Sequence, residues 1–339
     1  MSRWRLGALG LAAAALLTPT LAPHQRLRHL ALPTWSDPST HAATAGHTIG
    51  DGAPVHPLEL ATLPARISAI LPRPDGVLFI ATFDAGVYRF DPACDRAPVE
   101  VGGLAGRERF VDALAEHQGR VIVGTHRGAV VLAPDGQRVG LFGEAEAVAA
   151  LAVVDDALVL GTAHGLWAGA PPAPLGILGP DGETLRVTAL AAAGGRLFVG
   201  TADGVYVVSR PLAAQVARWI PLVFGAPAAS TNVVTALAPL GDGVLAGTDD
   251  GGVVFVDATT VRALPLTSAR ANDVNPGAMA RAGADVWLGS EGAGLLRVSA
   301  AGTVTRPIDW RAANVSAVAA GARLFVGGEG GELWSLPPS

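Results

Sequence analysis

One pattern recurs seven times between residue 60 and the end of this chain, and it restricts the fold more than any other feature. An apolar strand ends in Gly-Thr or a close variant, a short turn follows, and a Gly opens a second apolar strand. The copies read Leu78-Phe-Ile-Ala-Thr82 … Gly86, Val121-Ile-Val-Gly-Thr125 … Gly128, Leu158-Val-Leu-Gly-Thr162 … Gly165 and Leu197-Phe-Val-Gly-Thr201 … Gly204. They continue with Val244-Leu-Ala-Gly-Thr248 … Gly252, Val286-Trp-Leu-Gly-Ser290 … Gly294 and Leu324-Phe-Val-Gly-Gly328 … Gly331. A second element precedes each copy: Ile67-Ser-Ala-Ile70, Val111-Asp-Ala-Leu114, Val148-Ala-Ala-Leu151, Val187-Thr-Ala-Leu190, Val234-Thr-Ala-Leu237 and Val315-Ser-Ala-Val318, with a degraded sixth copy at Pro276-Gly-Ala-Met279. A period near 40 residues with this strand content is that of a propeller blade, a unit that buries its faces only by stacking on its neighbours.

The predicted fold is therefore an all-β, seven-bladed β-propeller with four-stranded blades. Strand A is Val-x-Ala-Leu, B ends in Gly-Thr, C begins at the following Gly, and D lies in the variable stretch before the next A. Small Ala suits the crowded inner strand. Phe79, Phe198, Trp287 and Phe325 occupy one position of B and read as packing between blades. The repeated Thr reads as a local backbone partner, not a nucleophile. The seventh copy stops short of an outer strand, and Pro57-Leu-Glu-Leu-Ala-Thr62 is unmatched upstream. That segment is expected to complete the last blade and close the ring, which removes an exposed edge.

The copies Asp75-Gly-Val-Leu-Phe-Ile-Ala-Thr-Phe-Asp-Ala-Gly-Val-Tyr88 and Gly195-Arg-Leu-Phe-Val-Gly-Thr-Ala-Asp-Gly-Val-Tyr206 resemble the two-component-regulator propeller repeat. The resemblance covers the chain from about residue 57 onward and implies a propeller that senses or binds outside the cytoplasm. The kinase and second helix of that family's best-known members have no counterpart here. The Trp-Asp dipeptide of WD40 blades is also missing.

Ahead of the repeats, Arg3 and Arg5 precede a 12-residue apolar run, Leu6 to Leu17, too short for a spanning helix. Residues 1–22 read as a signal peptide, or as a signal anchor if Pro23 blocks cleavage after Ala22. Any membrane attachment is expected through this segment alone, so the chain is placed in the periplasm or outside the cell. Residues 23–55 have no hydrophobic period and read as a flexible Pro/Thr/Ala/His linker, with the propeller spanning 56–339. Their histidines match no metal-site spacing. The net charge of −5 without a basic run argues against a nucleic-acid partner. The single cysteine, Cys94, forms no intrachain disulfide.

No catalytic or phosphate-binding motif is present, and no cofactor is expected. The chain reads as a non-catalytic binding or scaffold module for a protein or small ligand. Its expected binding face is the ring of B–C turns, carrying Asp84, His126, Arg127, His164, Asp203, Asp249, Asp250, Glu291 and Glu329. The acids would form one arc and His126, Arg127 and His164 an opposite, basic one, able to orient a charged partner. Two alternatives stand beside this. A Ca²⁺-dependent lactonase- or lyase-like enzyme would use Glu146, Asn232, Asn275 and Asn314 as axial oxygen ligands. A structural subunit of an envelope assembly would need no ligand of its own.

Overall fold

The computed structural model describes residues 57–144, 146–169, 171–178, 182–209, 217–220, 233–264, 273–306 and 314–337. The expected signal segment and linker lie outside them. The described residues form seven four-stranded antiparallel sheets, the blades of a seven-bladed β-propeller. Blades 1 to 6 span 67–101, 111–142, 148–174, 187–220, 234–263 and 274–305, each in the order A-B-C-D. Blade 7 takes A, B and C from 315–336 and its outer strand from Leu58–Thr62. That strand pairs antiparallel with Glu332–Leu336, Leu58 opposite Ser335 and Thr62 opposite Glu332. The predicted closure is thus the observed one. The only helical element among the described residues is one 3₁₀ turn, Gly106–Arg109.

The Gly-Thr signature has two separate causes. The Thr hydroxyl donates across the B–C turn to the carbonyl of the Gly that opens strand C, at 2.9 Å from Thr82 to Gly86, 2.8 Å from Thr125 to Gly128 and 3.0 Å from Thr201 to Gly204. It also accepts a turn N–H, that of Arg127 at 3.0 Å in blade 2 and of Asp203 at 3.1 Å in blade 4. These hydroxyls are buried, so satisfying both roles internally avoids a desolvation cost. The preceding Gly faces the next blade. A Cβ on Gly200 would stand 2.6 Å from Cγ1 of Val234, the first residue of the next strand A. Gly247 meets Val274 in the same way, and Gly327 meets Ile67 across the closure.

Strand A carries a bulge at its second residue in six blades. In four blades the side chain there turns toward the neighbouring blade and reaches the carbonyl of its first strand-A residue. Ser68 donates to Val111 O at 2.5 Å, Thr188 to Val234 O at 2.6 Å, Asn275 to Val315 O at 2.7 Å and Ser316 to Ile67 O at 2.7 Å. The result is an interrupted belt of side-chain hydrogen bonds around the axis, in which Ser316 latches the last blade to the first.

The sixth copy corrects the sequence reading. Its strand A begins at Val274-Asn275, and Ala278-Met279 resume the pattern, with Val274 opposite Ser290 and Met279 opposite Leu288. Pro276-Gly277 is a two-residue insertion, not part of a degraded signature. Both insert residues are exposed, whereas Asn275 and Ala278 on either side are buried. Gly277 has φ +70 and packs toward the carbonyl of Ser68 in blade 1. The insertion therefore projects into the space along the axis.

The molecule has no single core. Seven apolar clusters fill the seven gaps between blades, such as Ile67, Leu78 and Phe90 with Ala317, Phe325 and Leu333 between blades 1 and 7. Phe79, Phe198, Trp287 and Phe325 each sit in one of these gaps and are nearly or fully buried, as expected.

Candidate functional site

Strand A runs antiparallel to B, with its first residue opposite the Thr that ends B, as Val148 opposite Thr162. The loops entering strand A and the B–C turns therefore share one end of the axis. Backbone bonds tie them together. The residue after the Thr donates its N–H to the residue before strand A: Phe83 to Arg66, His126 to Phe110, Asp249 to Val233 and Glu291 to Asp273. Every predicted binding residue is placed on this face.

The structure redraws the charge on it. His126 Nε2 lies 3.0 Å from Asp112, Arg127 pairs with Glu144 at 2.6 Å, and His164 Nδ1 lies 2.8 Å from Glu146. Each member of the expected basic arc is thus matched by an acid, and the exposed basic groups beside it are Arg107 and Arg186 of the strand-A entry loops. Its character is instead partly aromatic. Phe110 stacks on His126 with centroids 5.4 Å apart, and Phe83 meets Phe110 edge-on at 5.7 Å. The acid arc is also shorter than expected. Glu329 pairs with Arg66 at 3.2 Å, whereas the Arg109 bond to Asp84 reaches only its backbone carbonyl and leaves that carboxylate's charge in place.

What remains is a concentrated acidic patch on blades 5 and 6: Asp249, Asp250 and Glu291 with Asp273, a residue outside the expected set. Burial, then the neighbouring charges of Glu291 and Asp249, a hydrogen bond with Glu291 and the charge of Asp250 push Asp273 up to about 7. Burial, then Asp250 and Glu291, also raise Asp249. Like charges in a half-dry site cannot all ionise cheaply. Near neutral pH Asp273 is therefore poised between its protonated and ionised forms.

Three of the four donors proposed as an axial metal set, Glu146, Asn275 and Asn314, lie among the described residues. Glu146 is engaged by His164 in blade 3. Asn275 donates to Asn314 at 2.8 Å and to Val315 O, across the blade 6–7 boundary. Asn232 lies outside the described residues.

No protein-family model matches the chain. No curated protein matches it. Solved structures do. The extracellular domain assigned to a one-component system of B. thetaiotaomicron is 16% identical, with a TM-score of 0.65 over 83% of this chain and 40% of that one. A catalytically inactive virginiamycin B lyase from Staphylococcus aureus with quinupristin is 13% identical, with a TM-score of 0.62 over 84% and 98% of the two chains. The WD40 propeller of Doa1 is 13% identical, with a TM-score of 0.60 over 84% and 97%. The propeller spans about two-fifths of the sensor chain it resembles. At such identities these likenesses fix the fold alone.

The propeller's overlooked residues had sequence signals. Asp112 fills the variable second place of Val111-Asp-Ala-Leu114, the place that holds Ser68, Thr188 and Ser316 elsewhere. Asp273 stands directly before Val274, equivalent to Arg66 and Phe110. Reading the sixth copy from Pro276 hid that equivalence.

Proposed function

We propose that this chain is an extracytoplasmic, non-catalytic binding propeller, and that its face of B–C turns and strand-A entry loops recognises a partner presenting a cationic group. The observation that carries this reading is internal to the repeats. The Gly-Thr frame is near-constant from blade to blade, whereas the residue after the Thr runs Phe83, His126, Ala163, Ala202, Asp249, Glu291 and Glu329. A fixed scaffold that holds different chemistry at each equivalent turn is the arrangement of a recognition surface. The patch of Asp249, Asp250, Asp273 and Glu291 is its most strongly charged sector.

Likeness to extracellular sensor domains supports an extracytoplasmic site, in line with the N-terminal Arg3, Arg5 and apolar run. The metal-dependent lactonase- or lyase-like reading has less support, since Glu146 is the one carboxylate of its set and is engaged by His164. A purely structural envelope subunit would use its surfaces without a cation-selective patch.

The test is capture from an envelope extract by wild-type protein and by the Asp249→Asn, Asp273→Asn, Glu291→Gln variant, with circular dichroism confirming the fold. A partner retained by wild type, released by moderate salt and lost from the variant is the expected result. Equal capture by both, with equal salt dependence, refutes the reading.

A further inference from the structure

Two arginines that form no ion pair among the described residues lie at the other end of this propeller. Between blades 5 and 6, where the A–B and C–D turns emerge, a cavity of about 340 Å³ is lined by Leu240, Asp242, Phe255, Arg262, Arg281 and Ala284, among others. That volume is at the lower end of the small-molecule range. Arg262 and Arg281 make no ion pair with any carboxylate among the described residues, unlike the face-side Arg66, Arg109 and Arg127.

Both guanidiniums are held in place with donors to spare. Phe255 and Arg262 are cross-strand partners, and the Arg262 guanidinium lies over the Phe255 ring, its carbon 5.8 Å from the centroid. This cation–π contact engages no N–H of the guanidinium in a hydrogen bond, which leaves its donors for a ligand. Arg281 engages only Nε, which donates to Gly283 O at 3.0 Å, so its two terminal nitrogens remain for a ligand. Phe255 itself packs on the apolar cluster between the two blades. The cavity thus combines an aromatic wall with two exposed cationic forks, each with one contact that restricts it, an arrangement that lowers the ordering cost of binding.

We propose that this cavity binds a small organic carboxylate whose apolar body lies against Phe255 and Leu240 while its carboxylate is shared by Arg262 and Arg281. The charge count selects a monoanion. Two guanidiniums less the carboxylate of Asp242 leave one net positive charge, too little for a phosphate dianion and too much for a neutral body. Leu240, Phe255 and Ala284 disfavour a bare inorganic anion, since nothing on it would replace the water they release. This site is independent of the acidic face at the opposite end.

Isothermal titration of the full chain with phenylacetate, 2-phenylethanol and inorganic phosphate tests the assignment. Phenylacetate is expected to bind, and to bind at least about tenfold more tightly than either control, the scale of one charge-assisted fork contact. Arg262→Gln and Arg281→Gln are each expected to weaken it about tenfold on the same basis. Asp242→Asn, which keeps every arginine donor and removes the opposing charge, is expected to strengthen it. Both arginines are exposed, so these variants leave the core untouched. No phenylacetate binding to wild type at millimolar concentration overturns the proposal. So does equal binding of phosphate or of the alcohol, or binding indifferent to both arginine changes.

Discussion

The blade-to-blade contact at the Gly-Thr glycine can be tested by adding one methyl group. Gly200→Ala places a Cβ 2.6 Å from Val234 Cγ1, 3.0 Å from Val234 Cβ and 3.2 Å from Ala189 Cβ. Two effects compete. Alanine at an ordinary strand conformation reduces the freedom of the unfolded chain and stabilises by about 0.5–1 kcal/mol. Overpacking a close-packed site costs about 1–3 kcal/mol. The neighbour here is a β-branched side chain on an inner strand, fully buried and unable to rotate away, so the overlap wins. The expected net loss is about 1–2 kcal/mol.

Removing the obstacle reverses the outcome. Val234→Ala alone costs about 2 kcal/mol for a buried large-to-small change. In that background Gly200→Ala meets no Cγ atom, and only the Cβ atoms of residue 234 at 3.0 Å and Ala189 at 3.2 Å must give by a few tenths of an ångström, so most of the cost is relieved. A double-mutant cycle read by urea denaturation should therefore show about 1–2 kcal/mol of favourable coupling. Gly289→Ala is the matched control, because its Cβ would also run into the carbonyl oxygen of Val315. Truncating Val315 to Ala leaves that oxygen in place and should not rescue Gly289→Ala. Blade 1 shows that Ala is not forbidden at this position, since Ala81 occupies it beside the buried Val111. Coupling below about 0.5 kcal/mol at Gly200–Val234, or equal rescue at Gly289–Val315, would refute the packing account.

Two further expectations concern pH and export. Asp273 is held up at about 7, against an ordinary value of 3.8. The folded protein thus binds more protons than the unfolded chain between those values, and stability falls as pH rises through the window. The half-open site limits the effect to about 1–2 kcal/mol; the urea midpoint should drop between roughly pH 4 and pH 8, and Asp273→Asn should flatten that slope. A profile unchanged by Asp273→Asn would show that the patch does not couple as described. For export, residues 1–60 fused to a reporter active only outside the cytoplasm should give signal. Silence beside a working cytoplasmic control would place the protein elsewhere.

The blade count and the strand order were legible because each depends on short-range sequence that repeats, and the closure because the last copy lacks an outer strand that the unmatched Leu58–Thr62 supplies. Gly before Thr is favoured by an approach between blades, Thr by a buried turn, and Gly after the turn by the start of strand C. Four copies carry Gly-Thr and three carry close variants, Ala81-Thr82, Gly289-Ser290 and Gly327-Gly328, which is enough to expose the frame without any related sequence. The same reasoning failed where the constraint was broken. Pro276-Gly277 lengthens strand A of blade 6, and aligning on Ala278-Met279 reaches back to Pro276 and loses Val274-Asn275. The structure recovers the register because Val274 still sits opposite Ser290, held there by the packing that Gly247 permits.

The proposed binding face was legible in position and not in charge. Which end of the axis a turn occupies follows from strand order, so Asp84 through Glu329 could all be placed from the repeat alone. Which carboxylate neutralises which cation depends on residues far apart in sequence or at unremarkable places in the repeat. Arg66 and Glu329 meet only because the ring closes. His126 and Asp112 meet only because the second residue of strand A bulges beside the B–C turn. An isolated set of turn residues therefore shows two opposed arcs of charge. The folded ring cancels one arc and shortens the other. What survives is the sector where blades 5 and 6 bring Asp249, Asp250, Asp273 and Glu291 together, so that every charge acting on Asp273 is another carboxylate, and burial converts that surplus into a raised proton affinity.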